Sequence, residues 1–463
     1  MALLTFTNLA RGIEIGANSY LLEIGEKKIV LDSGLHPRVD GEGALPQFSL
    51  LKDDSVDAIV LTHAHQDHVG SLPVLLRRHP RAPAFMTEAT AQLSDVMLHN
   101  SVNVMGRRAE ELGAGAILFS HREVDSTAKR WRSVPLRQRF DLAGERLRED
   151  EAAEVSMELF DAGHILGSAG VLIRAGEKRI FYTGDVNFDD QTVMQAARFP
   201  EEPIDVLIVE TTRGDHETPA EFHRDEEELR FANAIRHVLQ RGGTVFIPVF
   251  ALGKTQEVLA MFHEFQRKGL LGGVPIYIGG LSTKLTEIFD RLAHQTPRQH
   301  EGLELLDLHG LFTLAGSEAL ATQIRGGRIY ALSSGMMSEK TVSNILARQV
   351  LSDPEHALFF VGYADPESPA GKIQAAAAGA EIQLSPEVPP QPLLCSVDQF
   401  SFSGHATRES IRAYINRVRP KTVILVHGDP SAVGWFQEAL RVDLPESRII
   451  SPTPGEAIAL GQS

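Results

Sequence analysis

Cysteine is nearly absent. Cys395 is the only one in 463 residues, which excludes an intrachain disulfide and every zinc knuckle built on thiolates. A chain without disulfides suits a reducing compartment, so a cytoplasmic protein is expected. Long apolar runs are missing too. No stretch approaches the ~18 residues that a membrane-spanning helix needs, so no membrane association is expected. The opening "MALLTFTNLARGIEIGANSYLLEIG" lacks a basic region followed by an apolar segment and a small-residue cleavage site. It reads as a first strand pair, not as a signal peptide. Positive charge is in deficit: 45 Lys and Arg stand against 61 Asp and Glu, a net of −16. Such a surface argues against broad, nonspecific adhesion to nucleic acid, although bound metal ions can make a local positive site on an acidic body. One stretch departs from the average. "KRWRSVPLRQR" (129–139) holds Lys129, Arg130, Arg132, Arg137 and Arg139 with no acid among them. It reads as a solvated loop or helix face, with base stacking around Trp131 as the alternative.

The chain is too long for one compact core, which predicts two domains or one domain carrying a large insertion. "KKIVLDSG" (27–34) and "VDAIVLTH" (56–63) are apolar, β-branched runs ending in polar groups. They read as buried strands that stop at a functional edge. "KRIFYTGDVN", "IDVLIVETT", "GTVFIPVF", "VPIYIGG", "GRIYALSSG", "HALFFVGY" and "TVILVHG" are of the same kind. Helical patterns lie between many of them, including 226–241 and 254–268. Strands alternating with helices predict an α/β protein. The proline-rich "SPEVPPQPLL" (385–394) is the expected crossing point between domains.

"LTHAHQDHVG" (61–70) places His63, His65, Asp67 and His68 within a few positions of one another. Neutral imidazole and carboxylate are the donors that borderline metals prefer. Alternate residues of an extended chain face the same way, so His63 and His65 can converge on one ion. Asp67 sits where a helix N-cap would and, with His68, points elsewhere, toward a second ion. Ions ~3.5–4 Å apart clamp both oxygens of a displacement reaction. Packed histidines have no comparable structural use. Further donors stand at the polar ends of later strands: His164 among glycines in "FDAGHILGSAG", Asp185 in "YTGDVN" and His427 in "VILVHGDP". A carboxylate such as Asp185 can bridge two ions. Asp32, ending "IVLDSG", suits the role of accepting the free N–H of a ligand histidine and fixing its tautomer.

These residues resemble the metallo-β-lactamase fold hydrolases. "HAHQDH" matches the signature of that family; Asp32, His164 and Asp185 match its other motifs. The remainder resembles the β-CASP branch, whose members process nucleic acids. "VETTRGD" places Glu210, "FSFSGHATRESI" places His405 and "VHGDP" places His427 at that branch's motifs. "FALGKTQEV", "SSGMMSEKT" and "VGYADPESPAGK" look like segments of its inserted domain. The sequence departs from the family where Thr407 stands for a common aspartate and Lys254 for a common arginine.

The resemblance implies a four-layer αβ/βα sandwich interrupted by a smaller α/β domain. The expected division is 1–212, then an inserted 213–390, then 391–463. It implies two Zn²⁺ ions, with Mn²⁺ as the alternative. One would take His63, His65, His164 and Asp185; the other would take Asp67, His68, Asp185 and His427. The implied activity is hydrolysis of RNA phosphodiesters, internal or from the 5′ end, on a single strand entering the cleft between domains. DNA is the alternative substrate, and a homodimer is left open. A hydroxide bridging the ions is the expected attacker, with Asp67 beside it. His405 is the expected proton donor to the leaving oxygen, oriented by Glu210 as a carboxylate orients the imidazole of a triad. Ser333, Ser334 and Gly335 suggest a phosphate-binding loop, with a plain strand-to-helix turn as the alternative. Lys254 is a second candidate phosphate contact. The rivals are a small-molecule hydrolase of the same fold, which would not need the long insertion, and a catalytically dead scaffold, which would have lost ligands.

Overall fold

The computed structural model describes residues 3–315 and 320–462. They form two compact units. The first comprises 1–190, 196–218 and 405–463; the second comprises 191–195 and 219–404.

The first unit contains two seven-stranded sheets. The expected first strand pair is there, Leu3–Asn8 running antiparallel to Tyr20–Ile24. Beside it, Lys27–Leu31 pairs in parallel with Ala58–Val60. The second sheet has Lys178–Tyr182, Val206–Glu210 and Thr422–Val426 as adjacent parallel strands. The apolar runs are continuous because both faces of each sheet are covered. Ile29, Leu31, Ala58 and Val60 join one core with Met157, Val171, Ile180 and Ile208 of the other sheet. Their alternates Val30, Ile59 and Leu61 join a second core with Leu72, Leu75, Leu98 and Val124 of the helices outside. Leu172, Leu207 and Leu425 likewise face Ile411, Ile415, Phe436 and Leu440. The period-two alternation thus sorts each strand between the sheet-to-sheet core and a helical layer. The result is the expected four-layer αβ/βα sandwich.

The second unit is built on a six-stranded sheet with every adjacent pair parallel. In space its strands run Leu311–Leu314, Ile276–Gly279, Ile329–Leu332, Val245–Pro248, Ala357–Phe360 and Ser396–Gln399. The last of these moves a boundary. The chain does not leave this unit at the proline-rich 385–394, because Ser396–Gln399 still pairs with Ala357–Phe360. It leaves after Gly404. At the other end, Glu257 fastens 191–195 to the second unit. Its buried carboxylate accepts the backbone N–H groups of Thr192 (2.7 Å) and Val193 (2.9 Å). Among the described residues no helix is long and apolar enough to cross a membrane.

His79, closing helix Leu72–Arg78, is 0% exposed and neither ring nitrogen has a hydrogen-bond partner. Burial, and then the charge of Arg78, hold its pKa below the usual 6.5. As pH falls, the unfolded chain therefore takes up this proton first. The ring's neutral form supports the fold fully above about pH 6.5, and that support drains away below it. Leucine at this position removes the unsatisfied nitrogens. His79→Leu should stabilise the chain by about 1 kcal/mol at pH 7 and by more at pH 5. Thermal melts at both values check this; equal destabilisation at both would refute it.

Candidate metal centre

The first unit's parallel strands end level with one another. Tyr182 pairs with Ile208 and Glu210 with Val426, so the turns after these strands carry Asp185, Glu210 and His427 to one edge. Leu31 pairs with Val60, which does the same for Asp32 and His63. Two glycines allow the backbones to close in. Gly184 has φ 56°, and a Cβ there would stand 2.6 Å from that of Thr62. A Cβ on Gly34 would lie 1.8 Å from the Asp67 carbonyl oxygen. That approach lets Ser33 N–H donate to the His68 carbonyl (2.8 Å) and Asn18 N–H to the Asp67 carbonyl (2.9 Å).

The expected donors converge. His63 Nε2 and His164 Nε2 each lie 3.1 Å from His65 Nδ1. Asp185 Oδ2 is 3.5 Å from His63 Nε2 and 3.6 Å from His164 Nε2. On the other side, His68 Nε2 and His427 Nε2 are 3.4 Å apart. Asp185 Oδ1 stands 3.3 Å and 3.1 Å from them, and Asp67 Oδ2 stands 3.8 Å and 3.7 Å from them. These separations match the edge of about 3.3 Å of a tetrahedron whose metal–ligand bonds are about 2.0–2.1 Å. Asp185 is 2% exposed and turns one oxygen to each group. Its Oδ1 has no hydrogen-bond partner, although two imidazole nitrogens flank it. A buried carboxylate oxygen so placed fits a cation.

The charges agree. Burial, reinforced by neighbouring histidines, keeps His63 well below its ordinary pKa, and burial lowers His65 as well. Both are therefore neutral imidazoles, the coordinating form. Burial alone would raise Asp185, but His427, His68 and His63 hold it well below the usual carboxylate range. Burial would also lower His68, yet Asp185, Asp32 and Asp67 raise it well above the usual value. The cluster as a whole favours added positive charge.

Asp32 lies behind the centre, fully buried, at φ 60°. It accepts His68 Nδ1–H (2.8 Å), the Tyr182 hydroxyl (2.7 Å) and Thr62 N–H (2.8 Å). This fixes the His68 tautomer with Nε2 toward Asp185, as a carboxylate behind a ligand imidazole does. Sequence reasoning missed Thr62 and Tyr182. It also missed Asn18, whose amide nitrogen is 3.1 Å from His68 Nε2 and 3.2 Å from His427 Nδ1, and whose Oδ1 accepts the Tyr20 hydroxyl at 2.9 Å. No local motif distinguishes these residues.

His405 and Glu210 form a pair at the rim. His405 Nδ1 is 3.1 Å from Glu210 Oε1, and the same oxygen accepts Val186 N–H at 2.7 Å, next to Asp185. Burial pushes His405 down, but Glu210, with Asp185 and Asp67, outweighs it and lifts the ring to about 9. Thr407, where the family commonly has aspartate, caps helix Arg408–Val418, its side chain accepting Ser410 N–H.

One expectation is corrected, and three others are placed in the fold. Asp67 is not an N-cap: it lies within helix Gln66–Val69, and His65 precedes that helix with no side-chain cap. The basic segment 129–139 is largely consumed by local structure. Arg130 donates to the Pro80 carbonyl, Arg132 to that of Trp131, and Arg139 to those of Arg148 and Glu149. Trp131 packs on the helical-layer core. Ser333, Ser334 and Gly335 follow strand Ile329–Leu332 in the second unit. The Ser334 carbonyl accepts the Ser343 hydroxyl from helix Val342–Ala347, and its hydroxyl accepts Ser338 N–H. Lys254 is the first residue of helix Lys254–Arg267, and its ammonium donates to the Phe402 carbonyl.

A sandwich of this architecture with a two-part imidazole–carboxylate cluster at its strand ends defines a metal-binding hydrolase class. Three family models match the chain in series. They are the metallo-beta-lactamase superfamily over 12–235, the Beta-Casp domain over 255–373, and the Zn-dependent metallo-hydrolase RNA specificity domain over 390–452. The chain thus carries a metallo-β-lactamase domain, a Beta-Casp domain and an RNA specificity domain in series. It is similar to cleavage and polyadenylation specificity factor 73 of Drosophila melanogaster, 28% identical over 95% of this chain and 62% of the relative. Endoribonuclease ysh1 of Schizosaccharomyces pombe is 28% identical over 95% and 56%. Transcription termination factor FttA of Methanothermobacter thermautotrophicus is 28% identical over 90% and 65%. The chain thus spans only part of the length of these relatives. Among solved structures, a protein of unknown function from Enterococcus faecalis shares the fold, with a TM-score of 0.57 at 13% identity over 99% of this chain and 100% of that one.

Proposed function

We propose that this chain is a zinc-dependent ribonuclease that hydrolyses phosphodiester bonds of single-stranded RNA. The carrying observation is the geometry of Asp185, one buried carboxylate shared between two histidine groups, beside a histidine held by a glutamate. Relatives whose names include endoribonuclease support RNA as the substrate. In this reading His63, His65, His164 and Asp185 hold one zinc ion, and Asp67, His68, His427 and Asp185 hold a second. Bound there, the ions supply Lewis-acid activation of water and offset the phosphate's charge. Asp185 keeps the two groups in register. Glu210 holds His405 Nδ1, which leaves the ring's other nitrogen to deliver a proton to the leaving oxygen. The reading includes a cytoplasmic location, supported by a single cysteine that is buried.

Asn18 positions His427 in the same scheme. A ligand histidine that coordinates through Nε2 carries its proton on Nδ1, which calls for an acceptor. Turned over, the Asn18 amide presents Oδ1 to that N–H and its NH₂ to the Tyr20 hydroxyl. Asn18→Ala should weaken zinc binding by about 10–100-fold, read by chelator competition. Unchanged zinc affinity would remove Asn18 from the scheme.

The function is tested by a timed digest of end-labelled RNA and DNA, with chelator and with zinc restored. RNA cleavage that chelator stops and zinc recovers is expected, and product lengths separate internal from terminal cutting. Cleavage of DNA alone, or of neither polymer, would overturn the reading.

A further inference from the structure

Asp161 is a buried carboxylate that the metal centre leaves unused. It ends strand Val155–Asp161, is 8% exposed, and pairs with Ala169, the first residue of the neighbouring strand Ala169–Ala175. The loop between them, 162–168, carries His164. Its backbone is held at several points. The Ser168 hydroxyl accepts the N–H groups of His164 (3.1 Å) and Ile165 (3.2 Å). The Thr87 and Thr90 hydroxyls donate to the Gly167 carbonyl at 2.8 Å and 2.9 Å. The Ala162 carbonyl accepts Asn187 N–H at 2.9 Å. Asp161 supplies the remaining hold: its Oδ1 accepts Gly163 N–H at 2.8 Å. This bond fixes the residue immediately before His164, and with it the direction in which the imidazole leaves the chain.

The fold by itself gives no reason for a charge here. Burial pushes the Asp161 carboxyl up to about 6, against the Gly163 N–H and the charges of Arg198 and Arg137. A carboxyl whose pKa rises on folding is ionised at neutral pH at a cost in stability. Asparagine closes the same turn, side chain to the N–H two residues on, without that cost. What the carboxylate adds is a stronger acceptor, so the turn before His164 is held more stiffly than folding requires. We propose that Asp161 is a positioning residue of the metal centre: through Gly163 N–H its carboxylate aims His164 toward Asp185. The proposal rests on the zinc-binding part of the ribonuclease reading and extends the support of that centre to the loop after Val155–Asp161.

The test is a zinc titration of the full chain in competition with a chromophoric chelator, with thermal melts of the metal-free protein. Asp161→Ala should weaken one zinc equivalent by about tenfold, the lower end of what lost support behind a ligand costs. Asp161→Asn keeps an acceptor oxygen and should recover most of that loss. It should also melt no lower than wild type, because the buried charge is gone. Asp161→Ala binding both equivalents as tightly as wild type, or Asp161→Asn binding as weakly as Asp161→Ala, would overturn the proposal while leaving the ribonuclease reading intact. An alanine variant that loses both equivalents together and melts well below wild type would assign Asp161 to the fold and likewise overturn it. A wild-type chain that binds no zinc would overturn the metal reading and this proposal with it.

Discussion

Asp185→Asn should strip the centre of metal and abolish RNA cleavage while leaving the chain folded. Asp185 contributes one oxygen to each half of the cluster, with Oδ1 3.1 Å from His427 Nε2 and Oδ2 3.5 Å from His63 Nε2. Asparagine keeps the shape but removes the negative charge and replaces one oxygen by an amide nitrogen. That nitrogen offers N–H donors where a cation needs a lone pair. Removing one partner from a buried charge cluster costs about 3–5 kcal/mol, so metal affinity should fall by roughly 10²- to 4 × 10³-fold. Asp185 is itself part of neither hydrophobic core beside it, so the circular dichroism of the variant should match wild type. Metal content measured on the purified variant should fall by at least half, because the shared oxygen pair serves both histidine groups. A variant with full metal content and normal turnover would show that Asp185 is not the bridge, and the two-ion scheme would fail with it.

What the sequence disclosed follows from how local each feature is. His63, His65, Asp67 and His68 sit within one turn of chain, and their chemistry shows at a glance. Asp185, Glu210 and His427 were legible because each ends an apolar β-branched run, and parallel strands bring such ends to one edge. Asn18, Tyr20 and Tyr182 were not. Each is a lone polar residue in or beside an apolar strand, and only folding reveals the partner that satisfies it. The basic segment is exposed at Lys129, Arg132 and Arg137, as a solvated stretch should be, but its partners were hidden in the sequence: the carbonyls that occupy Arg130 and Arg139 are 50 residues and 9 to 10 residues away. The proline-rich stretch misplaced the crossing between units because short "SVDQ" carries no strong strand signal. Its place in the sheet is decided by pairing with Ala357–Phe360. Asp67 looked like a cap because caps and ligands draw on the same residue type. The tight approach of Gly34 to its carbonyl, not helix capping, fixes where it stands.

His405→Ala should do the opposite of Asp185→Asn and keep the metal while losing turnover. His405 Nδ1 lies 3.9 Å from Asp185 Oδ2 but 3.1 Å from Glu210 Oε1, so the ring is committed to the glutamate. Losing a positioned general acid lowers the rate by about 10²–10⁴-fold. The cause can be separated from simple mispositioning by the leaving group. A ribose oxygen needs a proton as the bond to phosphorus breaks, whereas p-nitrophenolate departs without one. The variant should therefore be crippled on RNA yet close to wild type on bis(p-nitrophenyl) phosphate. Glu210→Gln should show a weaker form of the same split, with an added loss on both substrates, because Glu210 also accepts Val186 N–H at 2.7 Å and so steadies the turn that bears Asp185. If His405→Ala loses both substrates equally, the ring serves the centre's structure, and the proton must reach the leaving oxygen from another group.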